Sequence, residues 1–310
     1  MLGQSHEQPP TSGYTAAQRT NRKTRMPLSS EAIGAQTDFI EHQTDRRWLM
    51  AYAASLGDMN PQYLDTTGPT VAHPVFPVCL EWPAILATRQ LAQMTGLTDA
   101  EAAKGVHASH DLHLYRPIVA GETLRTQTTV IDARAIRPGA AFVMQLDTLD
   151  RHDQLVCRTY QTSIYRGVAA DAETSVAKQV PAWPMAGRHF HAVQNHTIAV
   201  NGNLAHTYTE CAHIFNPIHT DKQVALEAGL PDIILHGTAT LALAISTLVN
   251  EYLDGDPTRV KRLGGRFAAM VLMPSDIQLK VGEAEDDCLS FRVMNAEGQE
   301  AISQGFLVYR

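Results

Sequence analysis

One order of segments occurs twice along the 310 residues of this chain, and no other feature restricts its fold as strongly. In the first half, TDRRWLMAYAASLGDMNPQYLD (44–65) opens with Thr44 or Asp45 as a helix N-cap. It continues as an amphipathic helix with Trp48, Leu49, Tyr52 and Leu56 on one face, and stops at Gly57 before an Asn60-Pro61 turn. In the second half, NGNLAHTYTECAHIFNPIHTD (201–221) repeats the order: a start signal at Asn201 to Asn203, a helical stretch, then Asn216-Pro217. In both copies an Asp, Asp65 or Asp221, stands four residues after the Pro.

A longer helix is predicted after each turn, near 78–94 (VCLEWPAILATRQLAQM) and 237–252 (GTATLALAISTLVNEY), and helices this apolar are buried. Strand-rich tails follow in matching pairs: 115–130 with 268–281, 141–150 with 289–298, and 155–165 with 300–309. Their period-2 alternation is that of half-buried antiparallel strands. The expected fold class is α+β, a central helix wrapped by an antiparallel sheet, built twice. The predicted divisions are an arm over 1–28, a first unit over 29–166, a small, polar, Pro-bearing linker or crossing segment over 167–187, and a second unit over 188–310.

The net charge is −7 and the 25 Lys and Arg are scattered, so the chain has no electrostatic footprint for a nucleic-acid backbone. Cys79, Cys157, Cys211 and Cys288 lie far apart without CxxC spacing, which fits reduced thiols in a cytosol. No run reaches the roughly 18 apolar residues of a membrane span. A soluble cytoplasmic protein is the expectation. His107, His110 and His113 form one cluster and His189 and His191 another, but neither has HExxH spacing, so no metal is expected. No phosphate-cradling glycine motif is present, so no nucleotide cofactor is expected.

Asn216-Pro217-Ile218-His219 with Asp221, followed by HGTATLALA at 236–244, resembles the signature of the MaoC-like dehydratases and R-specific enoyl-CoA hydratases, G-D-x-N-P-x-H and then a helix opening H-G. Gly57-Asp58-Met59-Asn60-Pro61-Gln62-Tyr63 is similar up to its last position, and RPIVAGETL (116–124) resembles the start of that family's next strand. The resemblance covers about 33–310 and implies a double hotdog fold. It also implies a hydro-lyase of fatty acid metabolism that adds or removes water across the 2,3-double bond of an enoyl-CoA thioester. The ligand so implied is coenzyme A or a carrier-protein thioester, taken as substrate with no resident cofactor. Such a chain is expected to work as a monomer or a homodimer.

In the family an Asp and a His position the water together. Here the second motif has Ile214 at the Asp position and the first has Tyr63 at the His position, so neither copy holds the pair. His219 is the candidate acid/base group, because an imidazole titrates near neutral pH. Asn216 either fixes the turn or touches the reacting water. The backbone N–H of Gly237 either donates to the thioester oxygen with a helix dipole behind it or only permits close packing. His236 and Thr238 beside it are candidate substrate contacts. Two carboxylates could replace the missing one: Glu210, one helical turn before Ile214, or Asp58 acting with Tyr63. Asp221 is read as a helix cap. Arg259, Lys261, Arg262 and Arg266 are either contacts for the coenzyme phosphates or ordinary surface charge.

The split pair also motivates a second possibility, a catalytically decayed acyl-CoA-binding or partner subunit. A hotdog thioesterase is a third, because fold does not fix function.

Overall fold

The computed structural model describes residues 27–94, 96–171 and 180–310. The first half runs β1 (Ile40–Thr44), α1 (Arg46–Ser55), α2 (Pro61–Leu64), α3 (Pro77–Ala87), α4 (Asp99–Ala102), then β2 (Gly105–Leu114), β3 (Glu122–Ile136), β4 (Gly139–Asp150) and β5 (Leu155–Arg166). The second half repeats it as β6 (Ala192–Val200), α5 (Leu204–Ala212), α6 (Lys222–Glu227), α7 (Gly237–Tyr252), β7 (Val260–Phe267), β8 (Ser275–Glu285), β9 (Cys288–Met294) and β10 (Glu300–Tyr309).

The ten strands form one sheet in the order β1-β3-β4-β5-β2-β7-β10-β9-β8-β6. Read from its centre outward, either side gives the same order, so the halves are related by a pseudo-two-fold axis at the antiparallel β2–β7 seam, where Leu112 faces Leu263 and His110 faces Gly265. On the outer face Arg262 holds Asp111 through two 2.8 Å bonds across this seam and also donates to the Ala182 carbonyl.

Local chemistry starts and stops the helices. Asp45 caps α1 by accepting from the Trp48 N–H, and Gly57, at φ +70°, ends it. Asp221 caps α6 by accepting from the Gln223 and Val224 N–H groups. Helix α5 ends at His213, a non-glycine residue at φ 56°. The His213 ring stacks on Trp48 at 4.7 Å, and Trp48 Nε1–H donates to the Cys211 carbonyl, which holds this left-handed turn in place.

Helices α3 and α7 fill the concave side of the sheet. Leu241, Leu243, Ile245 and Leu248 of α7 are buried, each contributing about 1.5–3 kcal/mol by leaving water. They belong to one continuous core that also includes Leu49 and Tyr52 of α1, Leu80 of α3 and Leu112 and Leu263 of the seam, so the two halves share a single interior.

Several segments differ from the expectation. The helix predicted over 78–94 ends at Ala87 and continues as 3-10 turns, and the strands expected from 115 and 268 begin at Glu122 and Ser275 after irregular leads. Residues 1–26 of the expected arm and 172–179 of the expected linker lie outside the described residues. Leu28, placed in the arm, is fully buried, and the adjoining Ser29 and Ser30 bond to Asp171. Trp183 and Met185 pack with Phe306, so this end of the linker is a segment lying across the second half. No helix among the described residues is long and apolar enough to cross a membrane.

Candidate active site

The second Asn-Pro turn places His219 at the end of a 3-10 turn, Pro217–His219, where it is 9% exposed. Its Nδ1–H donates to the Ile234 carbonyl at 2.8 Å, which fixes the tautomer and leaves the lone pair on Nε2. The ring stacks on His236 with centroids 3.7 Å apart. Burial lowers the His219 pKa to about 4, so the ring is neutral near pH 7. His236 is held further below the ordinary range by burial and by the neighbouring imidazole. Its Nε2 bonds the Thr209 hydroxyl at 3.1 Å.

His236 is the N-cap residue of α7, and no side chain caps the first turn of this 16-residue helix. Its leading N–H groups therefore form a donor site backed by the helix dipole. Gly237 has a packing reason as well, because a Cβ there would sit 3.0 Å from the Phe267 ring. Thr238 accepts from the Tyr208 hydroxyl at 3.1 Å, and Tyr208 meets Tyr52 at 3.3 Å across the pseudo-two-fold axis. The side chain of Asn216 does not cap its turn, so the turn alone does not account for its amide.

The structure thus gathers His219, Asn216, His236, Gly237 and Thr238 along the turn and the start of α7. Glu210 is not among them. Helix α5 buries Leu204, Ala205, Tyr208, Thr209 and Ala212, and Glu210 lies on its exposed face. The left-handed residue His213 then turns the chain, so Ile214 is buried and does not share a face with Glu210. Burial and the Ile234 carbonyl are the influences on His219, and no carboxylate is among them.

Asp58 and Tyr63 lie in the other half. Asp58 accepts from the Asn60 N–H and the Asn250 amide, while Asn60 donates to Asn250 and to the Gly255 carbonyl. This lattice ties the first turn to the C-terminal end of α7. Asp58 Oδ2 and the Tyr63 hydroxyl are buried without a partner among the described residues.

The sequence did not flag His73, which stands to Tyr63 as His236 stands to His219, with ring centroids 5.5 Å apart. The signal was A-H-P-V (72–75) against L-H-G-T (235–238), hidden because Pro replaces the Gly. His73 accepts from the Val75 N–H and bonds Ser246 on α7. An apolar cleft lies over His73, lined by Ala72, Pro74, Leu114, Ile118 and Val260 among others.

Among the cations considered for a coenzyme, Arg262 is committed to Asp111, Arg259 to Asp254 and the Arg310 carbonyl, and Lys261 to the Thr258 carbonyl, while Arg266 lies over the Trp183 ring. No group of three or more His, Cys, Asp or Glu among the described residues is placed to hold a metal ion.

Residues 185–302 match the family described as MaoC like domain, and residues 31–159 match the FAS1-like, dehydratase domain region. "Enoyl-CoA hydratase 2, peroxisomal" of Arabidopsis thaliana is 26% identical over 183 residues, 54% of this chain and 56% of that protein. "Enoyl-CoA hydratase ChsH3" of Mycobacterium tuberculosis is 28% identical over 254 residues, covering 79% of this chain and 86% of that one. The chain spans just over half of the plant relative and about a third, 34%, of a longer Drosophila melanogaster relative. The solved structure of a MaoC-like dehydratase from Phytophthora capsici superposes with a TM-score of 0.79 at 22% identity, covering 89% of this chain and 95% of that one, a likeness of fold.

Proposed function

Because residues 185–302 match the MaoC like domain and the chain has the double hotdog fold of its structural neighbours, we propose that it is an enoyl-thioester hydro-lyase acting from the second-half site. The observation that carries this is a buried, neutral His219 with its Nε2 lone pair free, set beside the uncapped start of α7.

In the hydration direction the thioester oxygen accepts from the leading N–H groups of α7, Gly237 first. Charge developing on that oxygen as water attacks Cβ is stabilised there, an effect that commonly gives 10²–10³-fold in rate. His219 Nε2 takes the proton from the attacking water, and the same proton is delivered to Cα as the enolate collapses. One C–O and one C–H bond form, and the π bond and one water O–H bond break. Acid–base catalysis of this type contributes about 10²–10⁴-fold. The Asn216 amide orients the water. His236, stacked on His219 and held neutral, positions the ring without competing for the proton.

The substrate in this scheme is an acyl-CoA or acyl-carrier thioester, and no resident cofactor takes part. The β2–β7 seam gives one chain the pairing of two hotdog units, so the monomer is the proposed working unit, and light scattering distinguishes it from a dimer. Four free cysteines favour a reducing compartment, the cytoplasm, which a fluorescent fusion would separate from the peroxisome named for the plant relative.

The test is loss of the enoyl thioester ultraviolet band with crotonyl-CoA and longer, branched and dicarboxylic enoyl-CoAs. Wild type should turn over at least one, and His219→Ala should lose about 10²-fold or more. Folded wild-type protein that turns over none would sink the proposal. One observation favours the non-catalytic binding subunit instead: Ile214, buried, at the position of the acidic residue. Tight acyl-CoA binding without turnover, unchanged in His219→Ala, would establish it.

A further inference from the structure

The pseudo-two-fold axis can be followed residue by residue. Val71 bridges Val119 as Ile234 bridges Leu272, and the Ala72 N–H donates to Ile118 as the Leu235 N–H donates to Val271. These pairs make His73 the counterpart of His236 and, four residues before Ile118 and Val271, Leu114 the counterpart of Phe267. Carried along the antiparallel β2–β7 ladder, the same operation maps Val260 onto His107 and Leu263 onto His110.

The first-half cleft over His73 runs between Leu114 and Val260. At the second-half site the same operation puts Phe267 and His107 in the places of Leu114 and Val260, and His110 in the place that Leu263 holds beside the first-half cleft. The contacts agree with this mapping. The Phe267 ring lies against Gly237, His107 packs edge-on to Phe267 at 4.7 Å, and His110 packs edge-on to His107 at 5.4 Å. Through Gly237, next in sequence to His236, these rings adjoin the His219–His236 stack.

His110 is 0% exposed and neither of its ring nitrogens has a partner among the described residues. His107 Nε2 is also buried without one. Leaving a buried polar atom unsatisfied is costly, so three such atoms side by side point to a polar group that completes them. Asp111, next in sequence, is spent on Arg262 and His113 on the opposite face of the strand.

We propose that His107 and His110 form the inner end of the acyl pocket and receive a carboxyl group at the far end of the acyl chain, so that the preferred substrate is a dicarboxylic acyl thioester. The proposal rests on the hydro-lyase reading of the same site. Burial gives the direction: His107 is half-buried and His110 is enclosed, while the bulky coenzyme must remain towards solvent, so the acyl end reaches His110. A carboxyl group can accept from imidazole N–H and can give its own proton to an imidazole lone pair. An alkyl end satisfies none of the three atoms.

Calorimetric binding of two saturated, unreactive thioesters of equal length, glutaryl-CoA and pentanoyl-CoA, tests this without any turnover. Wild type should bind glutaryl-CoA at least tenfold more tightly. The double variant His107→Val/His110→Leu, which installs the symmetry counterparts Val260 and Leu263, should abolish the preference, and His110→Gln, which keeps hydrogen-bonding capacity, should retain part of it. Equal or tighter binding of pentanoyl-CoA by wild type overturns the proposal, as does a preference that survives in the double variant. If the double variant does not fold, the wild-type preference and its partial retention in His110→Gln decide. A glutaryl preference without turnover of any enoyl-CoA would fail the hydro-lyase reading and leave the carboxyl site standing; turnover without the preference would do the reverse.

Discussion

At the first Asn-Pro turn the polar groups are spent on structure: Asn60 caps its turn by accepting from Gln62 and reaches α7 through Asn250, and Asp58 accepts from both asparagines. At the second turn the same backbone leaves Asn216 without a capping role and presents a histidine whose Nε2 is uncommitted. The two copies keep one frame and divide the tasks, so that one turn locks the halves together and the other presents the proposed base. A further contrast runs along the central helices. Helix α3 carries Glu81, 1% exposed and bonded to Thr159, where α7 carries Ala244.

The largest effect should separate the two turns. His219→Ala is expected to lower kcat/KM for enoyl-CoA hydration about 10²–10⁴-fold, and Asp58→Asn less than about threefold, by the absorbance assay. A large loss in Asp58→Asn with Tm unchanged would reverse the assignment of tasks.

The next effect lies in α3. Burial raises the Glu81 pKa from 4.5 to about 7, so the folded state holds a proton that the unfolded chain releases. Its stabilising share is complete below about pH 4.5 and is lost as pH rises through 7, a change on the order of 3 kcal/mol. Denaturant titrations between pH 5 and 8.5 should show this decline, and Glu81→Gln should flatten it. A decline unchanged in Glu81→Gln would place its origin elsewhere.

The smallest effect lies on the symmetry axis. Tyr208→Phe removes the bond to Thr238 and the contact with Tyr52, and should cost about 1 kcal/mol of stability by chemical denaturation. Tyr52→Phe, which leaves the Thr238 bond intact, should cost less. The opposite order would mean that Tyr208 does not carry the link.

Legibility in the sequence followed the same physical lines. Strands β3 and β8 alternate between buried and part-exposed residues along most of their length, and their period is plain. β2 and β7, at the seam, are buried on both faces over Asp111 and Leu112 and over Leu263, Gly264 and Gly265, so they carry no period-2 signal, and the merging of two sheets into one was not visible. Helix starts were legible through Asp45 and Asp221. The end of α5 was not, because His213 fills a left-handed position that glycine normally marks, and this made Glu210 look like a neighbour of Ile214. The turn histidine and the H-G helix start were legible because their spacing is local. His107 and His110 were visible only as a possible metal cluster, since their relation to Phe267 and Gly237 exists only after the halves have paired.

The central claim is that the second turn works from a neutral histidine without a carboxylate partner. The pH dependence of kcat/KM for wild type and Ile214→Asp tests it most directly, because this quantity reports the titration of the free enzyme. With His219 as the proposed base, held at about 4 by burial, wild-type kcat/KM should stay level from pH 8 down to about 5 and fall only as pH drops through 4. Ile214→Asp should move that fall to higher pH, since a neighbouring carboxylate favours the charged ring. A wild-type acid limb between pH 6 and 7 that disappears in Asp58→Asn would contradict the claim.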